Sequence, residues 1–136
     1  MFVLGISCYY HNSAAALLKD GELVAAVEEE RFTRIKHDSA FPKRSIEYCL
    51  SVAGISSDEL DYVVFYEIPQ LKFERVLAST LGAYPRSWKT FSEAMIAWFD
   101  QKLWVGQTIE EELSIPKEKI KYVEHHLSHA ASAFFT

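Results

Sequence analysis

Phe2-Val3-Leu4-Gly5-Ile6-Ser7-Cys8, Ala14-Ala15-Ala16-Leu17-Leu18 and Leu23-Val24-Ala25-Ala26-Val27 are three short apolar runs, the last two separated by Lys19-Asp20-Gly21-Glu22. Asp-Gly between apolar runs is the strongest short-range hairpin signal, because a type I′ turn needs positive φ at both central residues. The polar break Tyr9-Tyr10-His11-Asn12-Ser13 separates the first run from the second. Three strands in an antiparallel meander are predicted. The runs are continuous rather than alternating, which predicts a sheet covered on both faces.

Downstream, Glu28-Glu29-Glu30-Arg31-Phe32-Thr33-Arg34-Ile35-Lys36-His37-Asp38 is the most charged segment, and it reads most simply as a solvated strand exit and loop. Pro42 opens a helix whose Ile46, Cys49, Leu50 and Ala53 share one face, with Gly54 as its stop. Ser56 and Glu59 form a capping-box turn, and Tyr62 to Tyr66 reads as a β-branched and aromatic strand. A long helical insertion occupies about residues 70–114. Trp88, Phe91, Met95, Trp98 and Leu103 mark one stripe of its main helix, and such a stripe is usually core packing. Thr108 and Glu111 predict a second capping box, for a short helix ending before Pro116, and Ile120 to Val123 a last strand.

The predicted order is β-β-β-α-β-α-β-α, an α/β layout of the ribonuclease H-like kind used by the actin-like ATPase and sugar-kinase superfamily. In such sheets ligands sit beyond the carboxyl ends of the strands. The loops after the first, third and last strands should therefore converge. They carry His11, then Lys36 and His37, then the terminal histidines.

Three of the five histidines fall within His125-His126-Leu127-Ser128-His129. His125 and His129 are four apart and share one face of a helix, whereas His126 does not. Neutral imidazoles suit divalent iron, zinc, copper or nickel, but the spacing serves equally for half a metal site or for two structural or solvent-exposed histidines. His126 is expected to pack or to hydrogen-bond the start of the helix. His11, at the tip of the first strand, is either a base for a hydroxyl proton or a satisfied loop histidine.

The 136 residues are enough for one ordinary core, and 49% hydrophobic with 24% charged is a globular balance. A net charge of -5 gives no attraction to a nucleic-acid backbone. The patch Arg31, Arg34, Lys36, Lys43 and Arg44 suits at most a phosphate-sized anion. Cys8 and Cys49 form no disulfide framework, no basic leader precedes the first strand, and no run reaches the ~18 apolar residues of a membrane span. A soluble, reduced, cytoplasmic chain is expected, without a membrane partner. Phe134-Phe135-Thr136 stops inside a helix-like run with no Gly or Asn to end it, which reads as a fragment of something longer.

Gly5 to Leu17, Glu28 to Asp38 with Phe41-Pro42, and His125 to Phe134 together resemble three ordered blocks of the carbamoyltransferase family, whose members O-carbamoylate nodulation factors, cephalosporins and aminoglycosides. The resemblance implies an N-terminal actin-like domain, of which residues 1–136 are the first part. It also implies a remaining lobe and a C-terminal domain that makes carbamoyl-adenylate from ATP and carbamoyl phosphate. The N-terminal domain then passes the carbamoyl group to a hydroxyl of a small-molecule or glycan acceptor.

Carried over by position, His125 and His129 become the pair holding a divalent metal, iron first among the candidates. His11 becomes the base, while Asn12, Lys36 and His37 become residues facing the adenylate. The family usually reads His-Asp-Ser where this chain reads His11-Asn12-Ser13, so one charge is lost and the hydrogen bonding kept. With half a metal site, the 136 residues alone are expected to be inactive. A tRNA threonylcarbamoyl transferase would share the fold and the His pair, but the acidic balance argues against it. The aromatic stripe leaves a third reading, a non-catalytic actin-like module that binds nucleotide or a partner. The sequence carries no sign of oligomeric state.

Overall fold

The computed structural model describes residues 1–84, 86, 88–100 and 102–134. Phe135 and Thr136, onto which the last helix was expected to run, lie outside them. Five strands form one mixed sheet: β1 (Phe2–Ser7), β2 (Ala14–Lys19), β3 (Glu22–Glu28), β4 (Tyr62–Phe65) and β5 (Ile120–Tyr122). Their order across the sheet is β3-β2-β1-β4-β5. β1 and β2 pair antiparallel, as do β2 and β3, whereas β1, β4 and β5 run parallel. Six helices accompany them: α1 (Glu30–Thr33), α2 (Lys43–Ala53), α3 (Pro69–Gly82), α4 (Trp88–Asp100), α5 (Val105–Leu113) and α6 (His125–Phe134).

The Asp-Gly turn is as predicted. Asp20 and Gly21 have φ of 53° and 90°, and Lys19 pairs with Glu22 across them. Asp20 also accepts a 2.5 Å hydrogen bond from the Met1 ammonium, which ties the hairpin to the start of β1. α2 runs as expected from Pro42 to Gly54, whose φ of 68° is the left-handed stop that glycine adopts without strain.

The core lies on one face of the sheet. Leu4, Ile6 and Cys8, Ala15 and Leu17, Val63 and Phe65 point into it, against Ile46 and Cys49 of α2 and Val105, Ile109 and Leu113 of α5. Full burial stabilises each of the larger aliphatic side chains by roughly 1.5–3 kcal/mol. The expectation of two covered faces fails. Burial alternates along β1 and β2, and the other face holds Gly5, Ala14, Ala16 and Ala26 around an open cavity of about 590 Å³. The runs looked continuous because that face is also apolar.

Three local readings change. The charged segment is not simply solvated, because Glu29 is 3% exposed. Its carboxylate accepts from the amides of Arg44 and Ser45 (3.2 and 2.8 Å) and from the Ser45 hydroxyl (2.7 Å), so it caps α2 from outside. The capping box of Ser56 and Glu59 forms, but that of Thr108 and Glu111 does not. α5 starts at Val105, so Thr108 lies inside the helix, where its hydroxyl donates to the Trp104 carbonyl (3.3 Å). The aromatic stripe is not one core face either. α4 ends at Asp100, before Leu103, and only Trp98 of the stripe is buried, edge-on to Phe73 at 5.8 Å, while Trp88 is exposed. Among the described residues no helix is long and apolar enough to cross a membrane.

Candidate functional site

Because β1, β4 and β5 run parallel, their carboxyl ends share one edge. Cys8 to His11 follow β1 there, Tyr66 and Glu67 follow β4, and Val123 to His125 follow β5. The Val123 amide donates to the Phe65 carbonyl (3.1 Å), extending the β4–β5 ladder one residue and fixing where α6 begins. Within α6 the small residues Ala130, Ala131 and Ala133 favour helix. The Ser128 amide donates to the Glu124 carbonyl (2.9 Å), closing the first turn. An open cavity of about 530 Å³ lies at this edge, with Ser7, His11, Tyr66, His125 and His129 in its walls.

The two histidines of the pair meet as their spacing predicts. Their Nε2 atoms are 3.2 Å apart and their rings nearly perpendicular at 85°. His125 lies edge-on to Tyr66 at 5.6 Å. Its Nδ1 is buried and has no hydrogen-bond partner, and Glu67 Oε2 lies 4.0 Å from it. Glu67, 6% exposed, takes a 2.6 Å hydrogen bond from Lys72 Nζ. Lys72 lies 4.6 Å from the Tyr10 ring, and that ring is 4.1 Å from His11. Loss of water around the His125 ring, and then the neighbouring His129, hold its pKa below the ordinary 6.5, against the opposing pull of Glu67. The imidazole is thereby kept neutral, the form a metal needs.

Nitrogen ligands at roughly 2.0–2.1 Å from one ion stand about 2.8–3.4 Å apart at angles between octahedral and tetrahedral. The observed 3.2 Å fits that span. No group of three potential ligands occurs among the described residues, so an ion held by the pair would take two nitrogens from them.

The second block reaches the first by a separate set of contacts. Tyr9, with φ of 67°, donates its amide to the Ser39 carbonyl (2.8 Å), and the Ser13 amide donates to the Asp38 carbonyl (2.7 Å). Between these staples the Asn12 oxygen pairs with His37 Nδ1 (2.9 Å), and its amide nitrogen donates to Glu28 (3.3 Å). An aspartate at this position could accept from His37 but would repel Glu28. The His37 backbone amide donates to Glu30 (3.1 Å).

The expected convergence is therefore divided. His11 joins the His125–His129 cavity, Asn12 and His37 form a neighbouring pair, and Lys36 is exposed in the turn beyond α1 and lines no part of that cavity. His126 is exposed rather than packed. The basic patch does not gather: Lys43 pairs with Glu112 (2.8 Å), Arg44 donates to the Phe32 carbonyl (3.3 Å), and Arg31 lines the open sheet face. Burial, with the charge of Glu67, pushes the Cys8 thiol up to about 12, so it is an inert core group. Sequence reasoning missed Glu67. Its signal was its position, a carboxylate one residue past a strand read to its end at Tyr66, on the edge where ligands bind.

A cyanobacterial protein of Synechocystis sp., the uncharacterized sll1178, is 54% identical over 140 residues, covering 98% of this chain and 23% of its own length. The nodulation protein NolNO of Sinorhizobium fredii is 37% identical over 131 residues, covering 93% of this chain and 18% of its own. An archaeal protein of Methanocaldococcus jannaschii, MJ1051, is 43% identical over 61 residues, which are 45% of this chain and 11% of that protein. The chain thus spans about a fifth of the length of the first two. The family described as carbamoyltransferase N-terminus matches residues 2–136, a span that takes in the loops of His11 and of His37 and the histidine pair of α6. The chain belongs to that carbamoyltransferase N-terminus family.

Proposed function

We propose that this chain is the first part of an actin-like, ribonuclease H-like domain that transfers a carbamoyl group from carbamoyl-adenylate to a hydroxyl of a small-molecule or glycan acceptor. The strand order, with three antiparallel strands and two parallel ones added beside β1, supports the fold assignment. The remaining lobe and a domain making carbamoyl-adenylate from ATP and carbamoyl phosphate would lie in the further length that the relatives have. The observation that carries the reading is the cavity whose walls include both His11 and the His125–His129 pair at the carboxyl ends of β1 and β5.

His125 and His129 would hold a divalent metal, iron first, which supplies Lewis-acid polarisation of the carbamoyl carbonyl. His11 lines the same cavity and takes the proton of the acceptor hydroxyl. The acceptor oxygen forms its bond to the carbamoyl carbon as the carbon–oxygen bond to the adenylate phosphate breaks, and AMP leaves with that electron pair. Asn12 and His37, joined to each other, and Lys36 beside them would face the adenylate from the adjoining loop.

The test is His11→Ala in a polypeptide of the relatives' full length that carries this chain, assayed for acceptor carbamoylation. Loss of general-base help should lower the rate by about 10²–10⁴-fold. An unchanged rate would remove His11 from the mechanism.

A further inference from the structure

We infer that Glu67 is a positioning residue whose carboxylate receives the Nδ1 proton of His125 and so turns the Nε2 lone pair of that ring toward His129 and the cavity. The inference rests on the reading above only in taking the histidine pair as the metal's. Its first support is the buried Nδ1 without a partner, since a polar atom shielded from water costs stability unless it is paired. Its second is the identity of the neighbour. Glu67 Oε2 lies 4.0 Å from that nitrogen, about an ångström beyond a hydrogen bond, and the carboxylate is 6% exposed.

The two tautomers are not equivalent in this setting. With the proton on Nδ1 the ring turns a donor toward a carboxylate 4.0 Å away. With the proton on Nε2 the ring aims a lone pair at that carboxylate, a repulsion between two acceptors. Lys72, the cation at this site, does not reverse the preference, because its ammonium already contacts Glu67 at 2.6 Å and the Tyr10 ring at 4.6 Å. Glu124 pairs loosely with Arg75 (3.7 Å), and both side chains are well exposed.

Glu67 is also held where it can act. It lies two residues past the end of β4 and two before Pro69 at the start of α3, so its backbone is held close to both elements. A carboxylate behind a metal-binding imidazole fixes the ring's orientation and raises its basicity, and removing such a partner typically costs 10–100-fold in metal affinity.

The experiment uses the chain labelled with ¹⁵N-histidine. The metal-free imidazole shifts of His125 report its tautomer, and Co²⁺ titration reports binding by the pair. Wild type should show the Nδ1–H form. Glu67→Ala should move His125 toward the Nε2–H form and weaken Co²⁺ binding about 10-fold. Glu67→Gln, which keeps an acceptor oxygen, should retain the Nδ1–H form, and so should Lys72→Met, which removes the cation alone. An Nε2–H His125 in wild type overturns the inference whether or not the alanine variant folds. So does a Glu67→Ala protein with unchanged tautomer and affinity. The metal reading fails separately, if Co²⁺ leaves the His125 and His129 signals unmoved in wild type while the tautomer is as expected.

Discussion

Two buried carboxylates, Glu29 just past β3 and Glu67 just past β4, belong to one sheet with β2 and β1 between them and are treated in opposite ways. Glu29 receives three hydrogen bonds, from two backbone amides and a hydroxyl at the start of α2. Glu67 receives one, from a lysine that is itself partly exposed, and faces a buried imidazole nitrogen across 4.0 Å. A structural carboxylate is saturated by the groups it holds. Glu67 keeps acceptor capacity that its neighbour His125 Nδ1 does not yet use.

The largest test of this contrast is Glu29→Ala. Three buried donors lose their acceptor together, which should destabilise the fold by about 3 kcal/mol in a urea melt. Glu67→Ala should cost only about 1 kcal/mol, since Lys72 can reach water once its partner is gone. Equal losses would erase the distinction between the two groups. Gly21→Val offers a reference within the hairpin. A β-branched side chain at φ of 90° is strained, and a cost of about 1–2 kcal/mol should place it between the two carboxylates.

The smallest expected effect is a pH slope. The pKa of His125 is held below 6.5 in the folded chain, so the unfolded chain binds more protons as the pH falls through 6.5. Stability should decline in the window just beneath that value, and His125→Asn should flatten the slope. A slope of opposite sign would mean that Glu67 outweighs desolvation and His129 together.

The hairpin, α2 and β4 were legible because each rests on local chemistry: positive φ at Asp20-Gly21, the Pro42 and Gly54 stops, and a β-branched and aromatic run. The histidine pair was legible for the same reason, since a spacing of four places both rings on one face of any helix. Readings that depended on neighbours fared worse. The second capping box failed because α5 starts earlier than Thr108, at a boundary carrying no side-chain cap. The aromatic stripe gave no sign that α4 would stop at Asp100 and leave Trp88 in water. Glu29 sat in a run of like charges that reads as solvent-facing, and only the approach of α2 made it a cap.

By itself, then, the sequence determined the strands and their Asp-Gly turn, the long helix α2, the imidazole pair and the resemblance of its three blocks, all of which depend on residues close together in the chain. The tertiary structure alone decided which carboxylate is saturated and which is poised, that His11 rather than Lys36 or His37 shares the cavity of the pair, and that one face of the sheet is open. Those outcomes depend on burial and on distances between residues far apart in sequence. A hydrogen bond or an unpaired nitrogen is settled by differences of about an ångström, which no local pattern encodes.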